Sequence, residues 1–520
     1  MSSYRPAPPS TSRPPHRPRL RPIASALALA LALPTQAAVI TVDTAADGSQ
    51  PGHCTLRDAI AAANGDVAVA GCTAGSGADV IEFAAGVDTI ELTSASGGML
   101  TVSDALSIDG AGTLRTLRRS AEDAAFRILM TTKGTPLTLR WIKLSGGLAN
   151  AQVPDRGGAG ILAWGPLALH DSEVSGNLTD AQYGRGGGIN AHDTLELTDS
   201  VITGNATTNQ DASGGGFYAY ADATLTTSVV SNNATAGVVA FGGGLATYPG
   251  TTLQVSGSSV VDNLTLGDAS YGGGLYAGGA LELRSSHVSD NATLGSDSGG
   301  GGLYAYMLTA TDSTIAGNRT AASGSAGGGI FAANVSLTNS TVSDNATDGE
   351  SAPGGGILFG VTLEARNTTM TGNAAALSEG GGLFAFTFGQ TSIDLSSTIV
   401  FGNTASAAPE VAFLDTDSDL IVAGTHNLIG AVGSNVQLPG DTLDCDPLLQ
   451  PLAANGGATP THALSEGSCA IDAGTAEATL MFDQRGSPFV REAGAAPDIG
   501  AFEVQAAIDD AIFIDGFEPR

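Results

Sequence analysis

The sequence predicts an all-β fold, a parallel β-helix, and three observations predict it. A Gly-rich stretch followed by one apolar residue recurs nine times, at Ile161, Ile189, Phe217, Leu245, Leu275, Leu303, Ile330, Ile357 and Leu383, at intervals of 26 to 30 residues. An asparagine recurs in step with it, at Asn177, Asn205, Asn233, Asn263, Asn291, Asn318, Asn345, Asn373 and Asn403. With 72 Gly among 520 residues and 5% aromatics, the composition suits short strands and turns better than long helices.

The repeat justifies its own elements. Three residues before each asparagine stands an apolar residue, from Val174, Ile202 and Val230 to Met370 and Val400, and five before stands Ser or Thr, from Ser172 to Thr398. Such a unit reads as three short strands, for example Gly188 to Ala191, Leu195 to Asp199 and Val201 to Thr203. Alternation sends one residue in two inward, and a single coil cannot bury that face alone. Stacked coils can, because each strand then pairs in parallel with its equivalent one rung away and like side chains form ladders. Stacked Asn and Ser or Thr satisfy the buried turn carbonyls. The same ladder accounts for Asn-x-Thr in seven consecutive repeats from Asn177 to Asn345 without glycosylation.

Five segments follow. Residues 1–37 carry five arginines, no acid and the apolar run Ile23 to Leu33, the pattern of a secretory signal peptide. Residues 38–77 form an N-terminal cap in which Thr55-Leu56-Arg57-Asp58 starts a short helix covering the first coil. Residues 78–430 form the helix proper, about 12 coils, with Val80 to Phe83, Thr89 to Thr93, Leu106 to Asp109, Phe126 to Met130 and Leu137 to Leu144 as leading strands. An irregular C-terminal cap occupies 431–506 and an acidic tail 507–520.

The formal charge of −30, or −35 once five arginines are removed, excludes nucleic acid as a partner. No segment is long and apolar enough for a transmembrane span. The chain is expected to be exported, extracellular or at the cell surface, and monomeric. Its four cysteines allow three pairings; Cys54 with Cys72 and Cys445 with Cys469 is the expected one, with free buried thiols as the alternative.

The run Cys54-Thr55-Leu56-Arg57-Asp58-Ala59-Ile60 resembles the CSLREA segment of bacterial secreted β-helix proteins. Asn427-Leu428-Ile429-Gly430, Asp446-Pro447-Leu448-Leu449, Asp483-Gln484-Arg485-Gly486 and Pro497-Asp498-Ile499-Gly500-Ala501-Phe502-Glu503 look like a choice-of-anchor Q domain. The coils between are similar to right-handed parallel β-helix proteins of the pectin-lyase-like fold, and the right hand of the helix is implied by this resemblance. It also implies export and surface display, including the outer membrane, with no defined reaction. Ile512 to Glu518 looks like a C-terminal motif of exported Gram-negative proteins.

Lyases of this fold use a basic residue beside acidic calcium ligands, and no such cluster stands in the coils. No cofactor is expected. Calcium has one candidate, the run Asp415 to Asp419, where Leu420 replaces the required Gly and His426 stands at position 12. His170, His192 and His287 read as turn or surface residues. Glu364 and Asp394 fall at equivalent outward positions on adjacent rungs, about 5 Å apart at the backbone, which is the separation of a retaining glycosidase pair; a solvated acidic face is the competing account. One and three residues beyond the inward apolar position stand Tyr218, Tyr220, Tyr248, Tyr276, Tyr304, Tyr306, Phe331, Phe384 and Phe386. That aromatic stripe suits a polysaccharide or surface glycan, or else rings stacking on one another beneath the turns. The function expected is binding or structural, by glycan binding or adhesion. The alternative is a polysaccharide lyase or glycoside hydrolase on the same scaffold.

Overall fold

The computed structural model describes residues 37–386, 391–414, 420–476 and 480–505. The expected signal peptide, the Asp415 to Asp419 run and the acidic tail lie outside the described residues. The chain winds as a right-handed parallel β-solenoid of about 12 turns.

One coil shows how the repeat is spent. Strands Ile189–Ala191 and Leu195–Thr198 belong to the first sheet and Val201–Thr203 to the second. A fourth, two-residue strand, Ala206–Thr207, follows the asparagine and belongs to a third sheet. It carries no alternation of its own, so the sequence offered only three strands. Each residue pairs with its equivalent in the next coil, Val201 with Val229, Ile202 with Val230 and Thr203 with Ser231. In the four coils from Leu275 to Arg366 the first two strands merge, as in Leu275–Arg284, and they separate again as Leu383–Ala385 and Ser392–Ser396.

The interior is a stack of aliphatic columns. Val174, Ile202, Val230, Val260, Val288, Ile315, Val342, Met370 and Val400 are all at most 1% exposed, and so are the nine apolar residues that follow the glycines. In the coil before Leu275, Gly272 sits at φ +71°, and the next two glycines admit no side chain because a Cβ on Gly273 would meet the Gly301 carbonyl oxygen at 2.3 Å.

The asparagines form a continuous ladder. Asn205 donates from Nδ2 to Asn233 Oδ1 at 3.0 Å and to the Val174 carbonyl at 2.8 Å, while its backbone N–H donates to the same Asn233 Oδ1 at 2.9 Å. Asn233 repeats this toward Asn263, and Asn263 toward Asn291. All nine are buried. A parallel serine column runs beside it, each backbone N–H donating to the next hydroxyl, Ser172 to Ser200 to Ser228 to Ser258. Both columns satisfy turn groups that would otherwise be stranded in the core.

At the N-terminal end, helix Leu56–Gly65 buries Leu56, Ala59, Ile60, Ala62 and Ala63. Thr55 caps it, its hydroxyl oxygen accepting from the Asp58 N–H. Strand Val39–Val42, within the segment expected as cap, pairs with Asp79–Phe83. Disulfides join Cys54 to Cys72 and Cys445 to Cys469. Among the described residues no helix is long and apolar enough to cross a membrane.

The segment expected to cap the C-terminal end packs along the flank of the solenoid. Thr459 Oγ1 donates to the Asp312 carbonyl, Gln484 bonds both Thr314 and Thr341, Asn339 Nδ2 donates to the Phe482 carbonyl, and the Ala501 N–H donates to Thr369 Oγ1. The second sheet is changed accordingly. Its early strands, such as Val201–Thr203, bury only the central residue, whereas Thr314–Ala316, Thr341–Ser343 and Thr369–Thr371 bury all three.

Inside this flank lies an ion cluster. Arg485 pairs with buried Asp483 at 2.6 Å, donates to the Glu503 carbonyl at 2.6 Å, and lies between the rings of Phe489 and Phe502 at 3.9 and 3.8 Å. Arg491 donates to the carbonyls of Asp498 and Gly500. Burial pushes the carboxyl of Glu503 up to about 7. The Asp483 to Gly486 and Asp498 to Glu503 motifs therefore hold the flank together.

Candidate functional site

The outer face of the first sheet carries the ring residues, and its geometry follows one rule. The residue four before the inward apolar position of one coil packs on the residue one beyond it in the next coil. Arg185 lies over the Tyr218 ring at 4.6 Å, Phe241 stacks on Tyr276 at 4.8 Å and 18°, and Tyr271 meets Tyr304 at 5.4 Å. Sizes complement across the diagonal. Where Phe331 is large its partner is Gly299, on which a Cβ would stand 2.5 Å from the ring.

This diagonal splits the predicted stripe into two columns. The rings one position beyond lie under the preceding turn. Tyr218 is 5% and Phe384 4% exposed, while Tyr276, Tyr304 and Phe331 are half-buried. Tyr276 and Tyr304 stack at 4.9 Å and 7°, and Tyr304 meets Phe331 at 5.3 Å. Burial pushes the Tyr218 hydroxyl up to about 12 and raises those of Tyr271, Tyr276 and Tyr304. Phe384 and half-buried Phe386 belong to an apolar patch with Leu358 and Ala412. That patch borders a cleft of about 600 Å³.

The rings three positions beyond form the second column at the corner of the sheet. Trp164 and His192 stack at 3.9 Å and 16°, His192 and Tyr220 at 4.4 Å and 13°, and Tyr220 and Tyr248 lie 5.7 Å apart. Tyr248 is 46% and Tyr306 60% exposed. Arg185 Nη1 donates to the hydroxyls of both Tyr218 and Tyr220 at 3.1 Å, tying the two columns together. His192 is held below its ordinary pKa, first by burial and further by Arg185, against the opposing pull of Asp155.

Trp164, His192, Phe241 and Tyr271 were missing from the sequence-derived stripe. Trp164 and His192 stand three beyond Ile161 and Ile189, the offset that identified Tyr220, so the signal was present. Phe241 and Tyr271 lie in the turns, and nothing in the repeat announces the diagonal that brings them onto the sheet.

Two clefts flank the corner column. One, of about 360 Å³, is lined by Asp155, Arg156, Trp164, Asn190, His192 and Tyr220; the other, of about 190 Å³, includes Arg185, Asp211, Tyr218 and Tyr248. The loop carrying Asp155 and Arg156 is clamped from inside by Arg127, 1% exposed, which donates to the carbonyls of Pro154, Asp155 and Gly157.

Glu364 and Asp394 are register partners on adjacent rungs, with Ser336 and Ala423 as the next residues on either side. Glu364 is exposed and Asp394 half-buried. The pair lies on a different strand segment from the ring columns. Half-buried His287 has its pKa lowered by burial, and half-buried His170 pairs with Arg140 and Thr198 in the first sheet. Among the described residues no group of three or more His, Cys, Asp or Glu side chains is placed to hold a metal ion.

No family model matches the chain, and no curated protein matches it. Among solved structures it is similar to the crystal structure of pectate lyase Pel9A, at 12% identity and a TM-score of 0.37, over 90% of this chain and 96% of that one.

Proposed function

We propose that this chain is an exported β-helix protein that binds glycan through the ring-bearing face of its first sheet. One observation supports this above the others: rings recur on most rungs of one face, with Tyr248 and Tyr306 exposed at its corner. Exposed rings on a soluble surface are unfavourable unless they are used, and sugars present C–H faces that rings bind while hydroxyls bond to neighbouring polar groups. Repetition at about 4.8 Å per rung suits an elongated ligand lying along the solenoid axis. Two disulfides are compatible with an oxidising compartment. The test is retention of the purified protein on immobilised polysaccharides. Tyr248→Ala with Tyr306→Ala, and separately Tyr276→Ala with Tyr304→Ala, reduce retention; unchanged retention in both double variants rejects the proposal.

A second reading rests on the register pairing of Glu364 with Asp394. It makes the chain a glycoside hydrolase with these residues as acid and nucleophile. Reducing ends released from polysaccharide by the wild type and abolished in Glu364→Gln would replace the binding reading.

A further inference from the structure

The cleft at the start of the corner column sets charged and amide groups beside three rings, as its neighbour with Arg185, Asp211, Tyr218 and Tyr248 sets charged groups beside rings. The cleft next to Phe384 and Phe386 is bordered mainly by apolar side chains. The cleft at Trp164 combines one carboxylate, Asp155, one guanidinium, Arg156, one amide, Asn190, and three rings in a volume of about 360 Å³. That volume lies in the range of small-ligand sites.

The geometry points to this cleft as a subsite for a neutral oligosaccharide, in which Asp155 and Arg156 bond sugar hydroxyls and the ring edges of Trp164 and Tyr220 form the apolar wall. It rests on the glycan-binding reading and locates that reading's polar end. Neutrality follows from the charges. Asp155 and Arg156 carry opposite charges, and Arg185, whose guanidinium donates to two tyrosine hydroxyls and lies over their rings, lines the neighbouring cleft with Asp211. A polyanion would find one carboxylate beside the one guanidinium that lines the cleft and would meet a chain of net charge −30.

Two features indicate a built site. Arg127 fixes the loop bearing Asp155 and Arg156 through three carbonyl bonds, so both side chains project from an anchored backbone. Asn190 lines the cleft, is 4% exposed and has an Oδ1 with no hydrogen-bond partner, a buried acceptor left unsatisfied beside it. The same outward position holds Tyr218 in the next coil, so the amide is specific to this cleft.

The test uses the full chain with ¹³Cε1-labelled histidine, titrated with cellohexaose, mannohexaose and laminarihexaose, and with hexagalacturonate as the charged control. At least one neutral hexaose is expected to bind and to shift the His192 resonance, with Arg156→Ala and Trp164→Ala each weakening it tenfold or more. Tyr276→Ala with Tyr304→Ala should leave the His192 shift in place. A neutral hexaose that binds without moving His192, and whose affinity falls in the Tyr276/Tyr304 variant instead, overturns this subsite and leaves the glycan-binding face standing. Tighter binding of hexagalacturonate overturns the neutral assignment. Binding of none of the probes, together with no retention on polysaccharide, overturns both.

Discussion

Glu410 Oε2 accepts a 2.6 Å hydrogen bond from Asn403 Nδ2, and its other oxygen accepts the Gly402 N–H at 3.0 Å. A carboxylate thus stands where a tenth asparagine would continue the ladder. Its ionised form is a better terminus than an amide, because it accepts from Asn403 and Gly402 and has no hydrogen to donate onward. Glu410 is buried, and burial pushes its pKa up to about 7 from 4.5.

Glu410→Gln therefore changes the pH profile of stability. In the wild type the folded chain holds the Glu410 proton more tightly than the unfolded chain does. This contribution is fully present below about pH 4.5 and is lost as pH rises through about 7, by no more than about 3 kcal/mol. Chemical denaturation of both proteins at pH 4.5, 6 and 7.5 should show a smaller decline in the variant. Parallel declines would mean that Glu410 does not titrate in this window.

Asn263→Ala removes a side chain that donates to the Val230 and Val261 carbonyls and joins Asn233 to Asn291. The loss leaves buried groups on two neighbouring coils unpaired, and a destabilisation of about 3 kcal/mol is expected in urea. Gln210→Ala, at an exposed turn position, serves as the control with a change within about 0.5 kcal/mol.

Gly299→Ala tests the diagonal on the ring face. Its Cβ would stand 2.5 Å from Phe331 Cδ1, so the ring must turn, at a cost of about 1 to 2 kcal/mol. In a double-mutant cycle with Phe331→Ala that cost should be largely relieved, because the two changes act on one contact. Additive effects would show that the neighbouring backbone, with the Ala326 carbonyl oxygen 3.0 Å away, resists the methyl group instead.

Arg485→Ala strands buried Asp483 and empties the slot between Phe489 and Phe502. Removing one partner of a buried pair costs about 3 to 5 kcal/mol. The loss should be local: amides of residues 446–505 gain hydrogen exchange while the aliphatic columns around Ile202 and Val230 keep their protection. Uniform exchange across the chain would contradict that independence.

The solenoid was legible because period and chemistry agreed. Ile189, Ile202 and Asn205 each sit in a column of like residues, and only parallel stacking places like on like. The leading coils were legible only in part: alternation identified Val80 to Phe83 and Leu106 to Asp109, whereas Val39–Val42, Leu100–Val102 and Arg115–Arg119, which carry no repeat marker, were missed. The lateral course of the C-terminal segment was not legible. Its signal is the replacement of Glu173, Val201 and His287 by Thr314, Thr341 and Thr369 at one outward position, which becomes meaningful only when the segment that covers them is known. The ring face was half legible for a similar reason. The sequence identifies residues on a strand, whereas Phe241 and Tyr271 reach Tyr276 and Tyr304 from turns one coil away.

The flank also bears on how this molecule can change length over evolutionary time. Tandem modules are readily duplicated or lost by recombination, and a bare stack tolerates either event wherever it falls. Here the C-terminal segment grips Asp312, Asn339, Thr369 and Ser397 in fixed order, like a splint bound across several vertebrae. A module inserted among those residues would pull the grips out of step, while one inserted between Ile161 and Leu275 would leave them untouched. Growth and shrinkage are thereby steered toward the half that carries Trp164, His192 and Tyr220.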